Sequence, residues 1–138
     1  MIDLYTWTTP NGRKLSILLE EHGLDYEAHA IDITKGEQKS PEFLVISPNG
    51  KIPAIRDRTT GQTVMESGAI MLWLAEREGR FLGDVDDKAS VLEWLMWQMS
   101  AQGPILGRIH QFAKYGNSIG EPAETLARAQ GAQCYAEL

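Results

Sequence analysis

Cysteine, basic charge and long apolar runs are all scarce in this chain of 138 residues. The single cysteine, Cys134, allows neither an internal disulfide nor a cysteine-based metal site. The histidines His22, His29 and His110 do not have the spacing of a metal motif such as HExxH, so the sequence predicts no metal. A net charge of −6 leaves no basic surface of the kind that nucleic-acid binding requires, and we expect no such partner.

The longest apolar run, AIMLWLA at 69–75, is too short to cross a bilayer, and no membrane partner is predicted. The first residues, MIDLYTW, carry an acid where a secretory signal peptide carries bases, so we expect a cytoplasmic protein. With 43% hydrophobic and 23% charged residues, the composition is that of an ordinary globular protein.

The first third of the chain alternates between strand and helix patterns. Residues 2–6 (IDLYT) and 26–33 (YEAHAIDI) have the composition and alternation of strands. Between them, the apolar residues from 13 to 22 follow helical spacing, and Gly23 has the character of a helix C-terminus. The order predicts a β-α-β unit with two parallel strands.

A polar loop at 35–40, a short helical turn at 41–46 and a β-turn at 47–50 (SPNG) are predicted next. Residues 51–57 (KIPAIRD) resemble a strand, but Pro53 lies inside it and cannot donate to a ladder, so we expect either an edge strand or a special local geometry. A hairpin turn at 59–62 leads to a returning strand. Helical spacing then resumes from Ser67, a preferred N-cap residue, to Glu78.

From residue 87 the pattern is helical throughout. The apolar stripe through residues 91–99 is wide, which predicts burial on two sides. Pro104 is expected to kink or break this helix. A loop at 116–122 then precedes a last helix that runs to residue 138.

Three stretches in this order resemble a glutathione transferase, and within that superfamily the bacterial Nu class and the fungal nitrogen-regulator proteins. They are TTPNGRKLSILLEE at 8–21, SPNGKIPAI at 47–55 and MESGAI at 65–70. The resemblance implies a thioredoxin-like α/β domain of order β-α-β-loop-β-β-α at 1–79. It also implies a linker at 80–86 and an all-α C-terminal domain at 87–138, which looks truncated because family members carry further helices.

The resemblance also implies a glutathione site. A cis Ile52–Pro53 bond would let the main chain of Ile52 pair with the cysteinyl backbone of glutathione. Ser67 and its backbone N–H would hold the γ-glutamyl carboxylate, and Glu66 would take the α-ammonium group. The glycyl carboxylate would be held by two polar residues, Gln38 and Lys51.

The turn TTPN lacks a nucleophile, and the resemblance implies that glutathione brings the sulfur. Thr9 takes the place of the reactive cysteine of thioredoxin-like proteins, and either Thr9 or Asn11 would donate a hydrogen bond to the thiolate. Several other residues are less favoured: Tyr5 beside the thiolate, Trp7, His110 and Phe112 on the acceptor side of the cleft, Arg13 and Lys14 at the start of the first helix, and Cys134 in catalysis.

The predicted function is therefore a glutathione-dependent enzyme with glutathione as cosubstrate and no tightly bound cofactor. Its thiolate would reduce a small disulfide, with a second glutathione as the resolving thiol, or attack an electrophile. A homodimer is expected. The alternatives are a non-catalytic module that binds glutathione or another protein, and a truncated inactive product.

Overall fold

The structure is a computed structural model in which residues 1–115 and 121–136 are described. Its contacts divide the chain into two compact units, Met1–Gly83 and Asp84–Leu138. No helix among the described residues combines the length and apolar character needed to cross a membrane. The first unit contains a sheet with helices, and the described part of the second unit is helical.

The first unit is a four-stranded mixed sheet flanked by helices. Its strands are β1 (Ile2–Thr6), β2 (Tyr26–Ala30), β3 (Ala54–Asp57) and β4 (Thr63–Met65). Its helices are α1 (Pro10–His22), α2 (Pro41–Ile46) and α3 (Ser67–Glu78), with a 3₁₀ turn at Glu37–Lys39. The strand order is β2-β1-β3-β4, with β1 and β2 parallel and the other pairs antiparallel. This is the predicted thioredoxin-like arrangement.

One apolar cluster holds these elements together. Strand residues pack against one face of α1 and one face of α3, and each side chain is at most 1% exposed: Ile2, Leu4, Leu15, Leu19, Ile55, Ile70 and Leu74. The alternation in β1 and the helical spacing in α1 therefore have one cause, which is burial in the same core. Complete burial of so many large aliphatic side chains is the main source of stability for this unit.

The predicted strand at 51–57 is shorter than expected, and the expectation of an edge strand was wrong. β3 begins at Ala54, directly after Pro53, and lies between β1 and β4. Residues 51–53 belong to the preceding loop, where the Ser47 hydroxyl donates to the Lys51 carbonyl over 2.9 Å. Because Pro53 precedes the ladder, its missing N–H leaves no gap in the sheet.

Strand β2 also ends early, at Ala30 rather than at residue 33. The chain turns away because Asp32 forms local hydrogen bonds: its carboxylate accepts from the Thr34 N–H (2.9 Å) and hydroxyl (2.6 Å). Its own N–H donates to Glu37 over 2.7 Å. Side-chain bonds of this kind compete with the sheet ladder and favour a turn.

The second unit contains α4 (Lys88–Trp97), α5 (Gly103–Tyr115) and α6 (Glu121–Ala136). Pro104 does not break the chain of helices; a π-helical stretch at Gln98–Gln102 joins α4 to α5. In that stretch the Gly103 N–H donates to the Gln98 carbonyl, so the helix widens just before the proline. The predicted loop at 116–122 lies outside the described residues at 116–120, and α6 already includes residues 121 and 122.

The expectation that α4 is buried on two sides was wrong. It has no fully buried residue, and Trp94 and Met96 are 46% and 50% exposed. Packing is tighter between α5 and α6, where a Cβ on Gly131 would lie 2.5 Å from the Ile109 side chain. A side chain at position 131 would therefore require the end of the Ile109 side chain to move.

Candidate functional site

The strand register brings the three predicted motifs to one end of the sheet. Tyr5 near the end of β1 pairs with Ala54 at the start of β3, and Ala54 pairs with Met65 at the end of β4. The turn after β1, the proline before β3 and the bend after β4 therefore lie side by side. Residues separated by more than fifty positions in sequence meet at this edge because of the sheet alone.

The turn after β1 is a well-capped helix start. The backbone of Thr9 is extended, and its Oγ1 accepts from the Gly12 N–H over 3.2 Å, with Pro10 at the first helical position. The hydroxyl proton of Thr9 remains to donate elsewhere. The first turn of α1 has no acidic residue, so the positive end of its dipole is not neutralised and favours an anion such as a thiolate.

Glycine is required at position 12 for this turn to form. A Cβ there would lie 2.3 Å from the Thr6 Oγ1 and 2.5 Å from the Trp7 carbonyl oxygen. The second contact involves backbone and cannot move aside easily. Gly12 therefore permits α1 to start directly against the end of β1.

Asn11 is exposed one turn before Lys14, whose ammonium donates to the Asn11 Oδ1 over 2.8 Å. This contact orients the amide, and its NH₂ group stays directed away from the lysine. Burial of the lysine lowers the pKa of Lys14 from its usual value. The separation of three residues between Asn11 and Lys14 is typical of neighbours on one helix face.

The start of α3 differs from the prediction in one residue. Glu66 occupies the N-cap position, and Ser67 is the first helical residue, 3% exposed. Ser67 is therefore not the N-cap. Ser67 is buried at the N-terminal end of α3, where backbone N–H groups without helical partners are available to an anion. Like α1, α3 has no acidic residue in its first turn.

The backbone of Glu66 has the unusual values φ 72° and ψ 121°. A positive φ in a residue other than glycine is uncommon, and such conformations concentrate at functional sites. The exposed carboxylate of Glu66 accepts a hydrogen bond from the Asn49 Nδ2 over 3.1 Å. Asn49 lies in the SPNG turn, and this contact joins that turn to the bend before α3.

The SPNG turn also lies against Gln38. A Cβ on Gly50, which has φ 61°, would be 3.0 Å from the Gln38 carbonyl oxygen. The Oε1 of Gln38 is buried and has no hydrogen-bond partner among the described residues. An unpaired buried acceptor is costly, so a donor is expected to satisfy it. Lys51, which follows Gly50 in the chain, is exposed.

The Ile52–Pro53 peptide bond is cis, as the resemblance implied. Pro53 is buried and Ile52 is half-buried. The two residues lie between the SPNG turn and β3 and thus between the two helix starts. The described geometry therefore groups the predicted residues Gln38, Lys51, Ile52, Pro53, Glu66 and Ser67 around one loop, with Thr9 and Asn11 on the neighbouring turn.

A cavity of about 310 Å³ lies on the α1 side of the same sheet edge. It is bounded by the end of β1, the first turns of α1 and strand β2, and includes Trp7, Arg13 and Ala30. None of the predicted glutathione residues lines it. Trp7, a candidate for the acceptor side of the cleft, lines this cavity. An acceptor substrate bound in the cavity would therefore lie beside the TTPN turn.

The remaining candidates from the sequence are Tyr5 in β1 and three residues of the second unit. The ring of Tyr5 stacks on His29 with the centroids 4.9 Å apart, on the face of the sheet opposite the core. His110 is exposed and Phe112 is half-buried, both on α5. Cys134 is buried on α6, with 4% of its surface exposed.

Near Tyr5, the group Asp3, Glu27 and His29 has the atom spacing that a metal ion would need. The Arg58 guanidinium already pairs with Glu27 and donates from Nε to Asp3 over 2.9 Å. The hydrogen bond from Arg58, supported by His29, lowers the pKa of the Asp3 carboxyl. We therefore interpret the group as an ion-pair network rather than as a metal centre.

One contact at this edge was not predicted from the sequence, the hydrogen bond between Asn49 and Glu66. For Asn49 the sequence carried no signal, because its partner Glu66 is 17 residues away across a strand hairpin. Only the folded loop arrangement shows this contact.

The fold and the arrangement of helix starts around a cis-proline loop are those of a thioredoxin-like domain. The family model described as "Glutathione S-transferase, N-terminal domain" matches residues 8–77, about half of the chain. This protein therefore belongs to the glutathione S-transferase family.

Relatives and solved structures extend this similarity. The chain is 49% identical over 118 residues to the disulfide-bond oxidoreductase YfcG of Escherichia coli (strain K12), covering 81% of this chain and 55% of that protein. It is 43% identical over 115 residues to the disulfide-bond oxidoreductase YghU of the same strain, covering 77% and 40%. The chain thus spans about half the length of these curated relatives.

The crystal structure of a glutathione transferase from Pseudomonas putida, with one glutathione disulfide bound per subunit, superposes with a TM-score of 0.91 at 39% identity. The match covers 98% of this chain and 62% of that one. A glutathione transferase family member from Pseudomonas fluorescens, with two glutathione bound, has a TM-score of 0.92 at 38% identity, covering 99% and 63%.

Proposed function

We propose that this protein binds glutathione and uses its thiolate to reduce a small disulfide. The observation that carries the proposal is the meeting of two helix starts and the Ile52–Pro53 loop at one sheet edge, with no acidic residue in the first turn of either helix. Two separate anions, a carboxylate and a thiolate, are favoured at two such helix ends. The names of the relatives supply the reaction class.

In this proposal glutathione lies across the loop in an extended form. Its γ-glutamyl carboxylate binds Ser67 and the backbone N–H groups at the start of α3. Its α-ammonium group contacts Glu66, and its cysteinyl backbone pairs with the main chain of Ile52 beside Pro53. The two remaining residues, Gln38 and Lys51, hold the glycyl end. There the buried Gln38 Oε1 gains a hydrogen-bond donor, either from glutathione or through a shift of the Gln38 side-chain amide.

The sulfur then lies over the TTPN turn. A free thiol has a pKa of about 8.5, and the end of the α1 dipole lowers it by stabilising the thiolate. A hydrogen bond from the Thr9 hydroxyl or the Asn11 NH₂ group adds to this effect. Both groups are oriented for donation, since the Thr9 oxygen and the Asn11 oxygen already accept from Gly12 and Lys14.

The reaction is a pair of thiol–disulfide exchanges. The bound thiolate attacks one sulfur of the disulfide RSSR, which forms a mixed disulfide and releases the thiolate RS⁻. A second glutathione thiolate attacks the glutathione sulfur of this mixed disulfide and releases the second RS⁻. The two glutathione molecules end as glutathione disulfide, and the two electrons they lose reduce RSSR to two thiols. No cysteine of the protein takes part.

Conjugation of the same thiolate to a small electrophile is the second reaction that this site supports. It needs the same bound thiolate and differs only in the atom attacked. The cavity beside Trp7 and Arg13 is the space that we assign to either acceptor.

The test is a turnover assay with glutathione and a small symmetric disulfide, coupled to reduction of the glutathione disulfide formed. A parallel assay uses an aryl halide as electrophile. We expect disulfide reduction well above the uncatalysed rate and a smaller conjugation rate. Glutathione binding by calorimetry without either turnover would instead show a non-catalytic glutathione-binding module, and absence of binding would contradict the proposal as a whole.

We also propose the domain boundaries 1–79 and 87–138, with a linker at 80–86, and a cytoplasmic location, where the glutathione pool is kept reduced. The division of contacts near residue 83 supports the boundaries. Limited proteolysis should cleave first within 80–86. Cleavage first inside either proposed domain would contradict these boundaries, and recovery of the protein outside the cytoplasmic fraction would contradict the location.

A homodimer belongs to the same proposal. Large apolar side chains of α4, Trp94 and Met96, are about half exposed, and exposed apolar groups of this kind favour association. Sedimentation at several concentrations should show a dimer that persists on dilution. A stable monomer at high concentration would contradict the homodimer.

A further inference from the structure

We propose that Asn49 is a positioning residue that fixes the Glu66 carboxylate for a free α-ammonium group and so sets the selectivity of the site for an unmodified γ-glutamyl end. This inference rests on the proposed glutathione-binding function. It starts from the contact between the Asn49 Nδ2 and the Glu66 Oε1, at 3.1 Å.

Glu66 depends on an outside contact for its orientation. Its side chain makes no capping hydrogen bond to α3, although it occupies the N-cap position. Its backbone, at φ 72°, directs the chain sharply from β4 into the helix. An exposed glutamate samples several rotamers unless a partner restricts it. Among the described residues, the hydrogen-bond donor that can restrict the Glu66 carboxylate in this way is the Asn49 amide.

The turn that carries Asn49 is itself held firmly. Ser47 is fully buried, and its hydroxyl donates to the Lys51 carbonyl over 2.9 Å. The Gly50 N–H donates to the Ser47 carbonyl over 2.7 Å and closes the turn. Gly50 also fits against Gln38 at a distance that leaves no room for a side chain. Asn49 is therefore presented from a rigid base, and its amide defines where the Glu66 carboxylate lies.

The chemistry of the pair indicates what Glu66 recognises. An amide donor occupies one carboxylate oxygen without neutralising the charge, and the remaining lone pairs can accept from a ligand. A lysine or arginine at position 49 would have cancelled that charge and repelled a cation. The pair is thus suited to a primary ammonium group, and an acylated or deaminated γ-glutamyl group would leave the carboxylate without its ligand donor.

The test compares two ligands by calorimetry on the full chain: glutathione, and the same tripeptide with hydrogen in place of the α-amino group. We expect Asn49→Ala to weaken glutathione binding about 3–10-fold, the range for loss of one hydrogen bond. Binding of the deaminated ligand should stay unchanged. The preference for glutathione over the deaminated ligand should fall by the same factor, and this ratio does not depend on how much of the variant is folded.

Gln62→Ala, which removes an exposed amide in the β3–β4 turn, is the matched control and should leave both affinities unchanged. In a Glu66→Gln background, Asn49→Ala should have little further effect on glutathione. An equal loss of affinity for both ligands would show a merely structural role and overturn the inference, as would an unchanged preference. Failure of the unmodified protein to bind glutathione would overturn the proposed function as well, so the two failures are distinguishable.

Discussion

The two units of this protein are built very differently. In the first unit, seven large aliphatic side chains are at most 1% exposed and form one cluster beneath the sheet. In the described part of the second unit, the buried apolar side chains are the small ones of Ala127 and Cys134. Large apolar groups there are exposed, with Leu126 at 60% and Tyr135 at 62%.

The difference in burial indicates that both the stable core and the proposed glutathione site belong to the first unit. The first unit has a core that fixes strand register, and that register brings together the three motifs of the proposed glutathione site. The second unit contributes helices whose apolar surface is only partly buried. Substitutions in the core of the first unit should therefore alter stability strongly, whereas substitution of an exposed side chain of α6 such as Leu126 should have little effect.

The largest effect is expected in the core of the first unit. Leu4→Ala removes a fully buried side chain and should lower the free energy of unfolding by about 2–5 kcal/mol, through lost burial and a residual cavity. Leu126→Ala, at a side chain that is 60% exposed on α6, should change it by less than about 0.5 kcal/mol. Urea unfolding followed by circular dichroism measures both, and equal losses would contradict the comparison.

A loss of binding is expected at the start of α3. Ser67→Ala removes the hydroxyl proposed to hold a carboxylate and should weaken glutathione binding about 10–100-fold, as for a hydrogen bond to a charged group. The control, Ser100→Ala, changes an exposed serine of the second unit and should have no effect. Calorimetry with glutathione gives both affinities. Retention of full affinity by Ser67→Ala would remove this residue from the site.

A pH-dependent loss of stability is expected in the network around Asp3. Arg58 lowers the pKa of Asp3 below its usual value of 3.8, so the folded state binds this proton more weakly than the unfolded state. The stabilisation is therefore present above about pH 4 and is lost as the pH falls through the lower folded value. Asp3→Asn should cost about 1–3 kcal/mol at neutral pH.

The same substitution should cost progressively less in acid. Urea unfolding midpoints of the unmodified protein and Asp3→Asn, measured from neutral pH down to about pH 3, should converge as the Asp3 carboxyl becomes protonated. A constant difference across that range would show that charge at Asp3 is not the cause.

A smaller loss of stability, from a single helix cap, is expected at the TTPN turn. Thr9→Ala removes the N-cap contact to Gly12 and should cost about 1 kcal/mol. Thr9→Ser keeps a hydroxyl and should cost less. If Thr9 donates to the sulfur, only the alanine variant should raise the pKa of bound glutathione, measured from thiolate absorbance. If Asn11 is the donor, Asn11→Ala should raise the thiol pKa instead.

Much of the fold could be predicted because local patterns report burial directly. β1, α1 and α3 have apolar residues at the spacing of the element that they form, and that spacing follows from the shared core. Predictions failed where a backbone detail decided the outcome. The ladder of β3 begins only after Pro53, and in the loop before it the Ser47 hydroxyl donates to the Lys51 carbonyl.

The candidate site was predicted residue by residue from a family resemblance, and the residues themselves explain only part of it. Capping chemistry indicated Thr9, and it wrongly indicated Ser67 in place of Glu66 as the N-cap. The Asn49–Glu66 contact depends on how two loops approach each other. No local pattern in either loop specifies that approach, so only the structure could show it.

The central claim is that glutathione binds in the first unit, at the edge where the two helix starts and the Ile52–Pro53 loop meet. The most direct measurement is a titration of isotope-labelled full-length protein with glutathione, followed by the backbone amide signals in nuclear magnetic resonance. The account predicts saturable shifts at Asn11, Ile52 and Ser67, all with one dissociation constant. Saturable shifts that leave Ile52 and Ser67 unchanged, or no saturable shift at all, would contradict it.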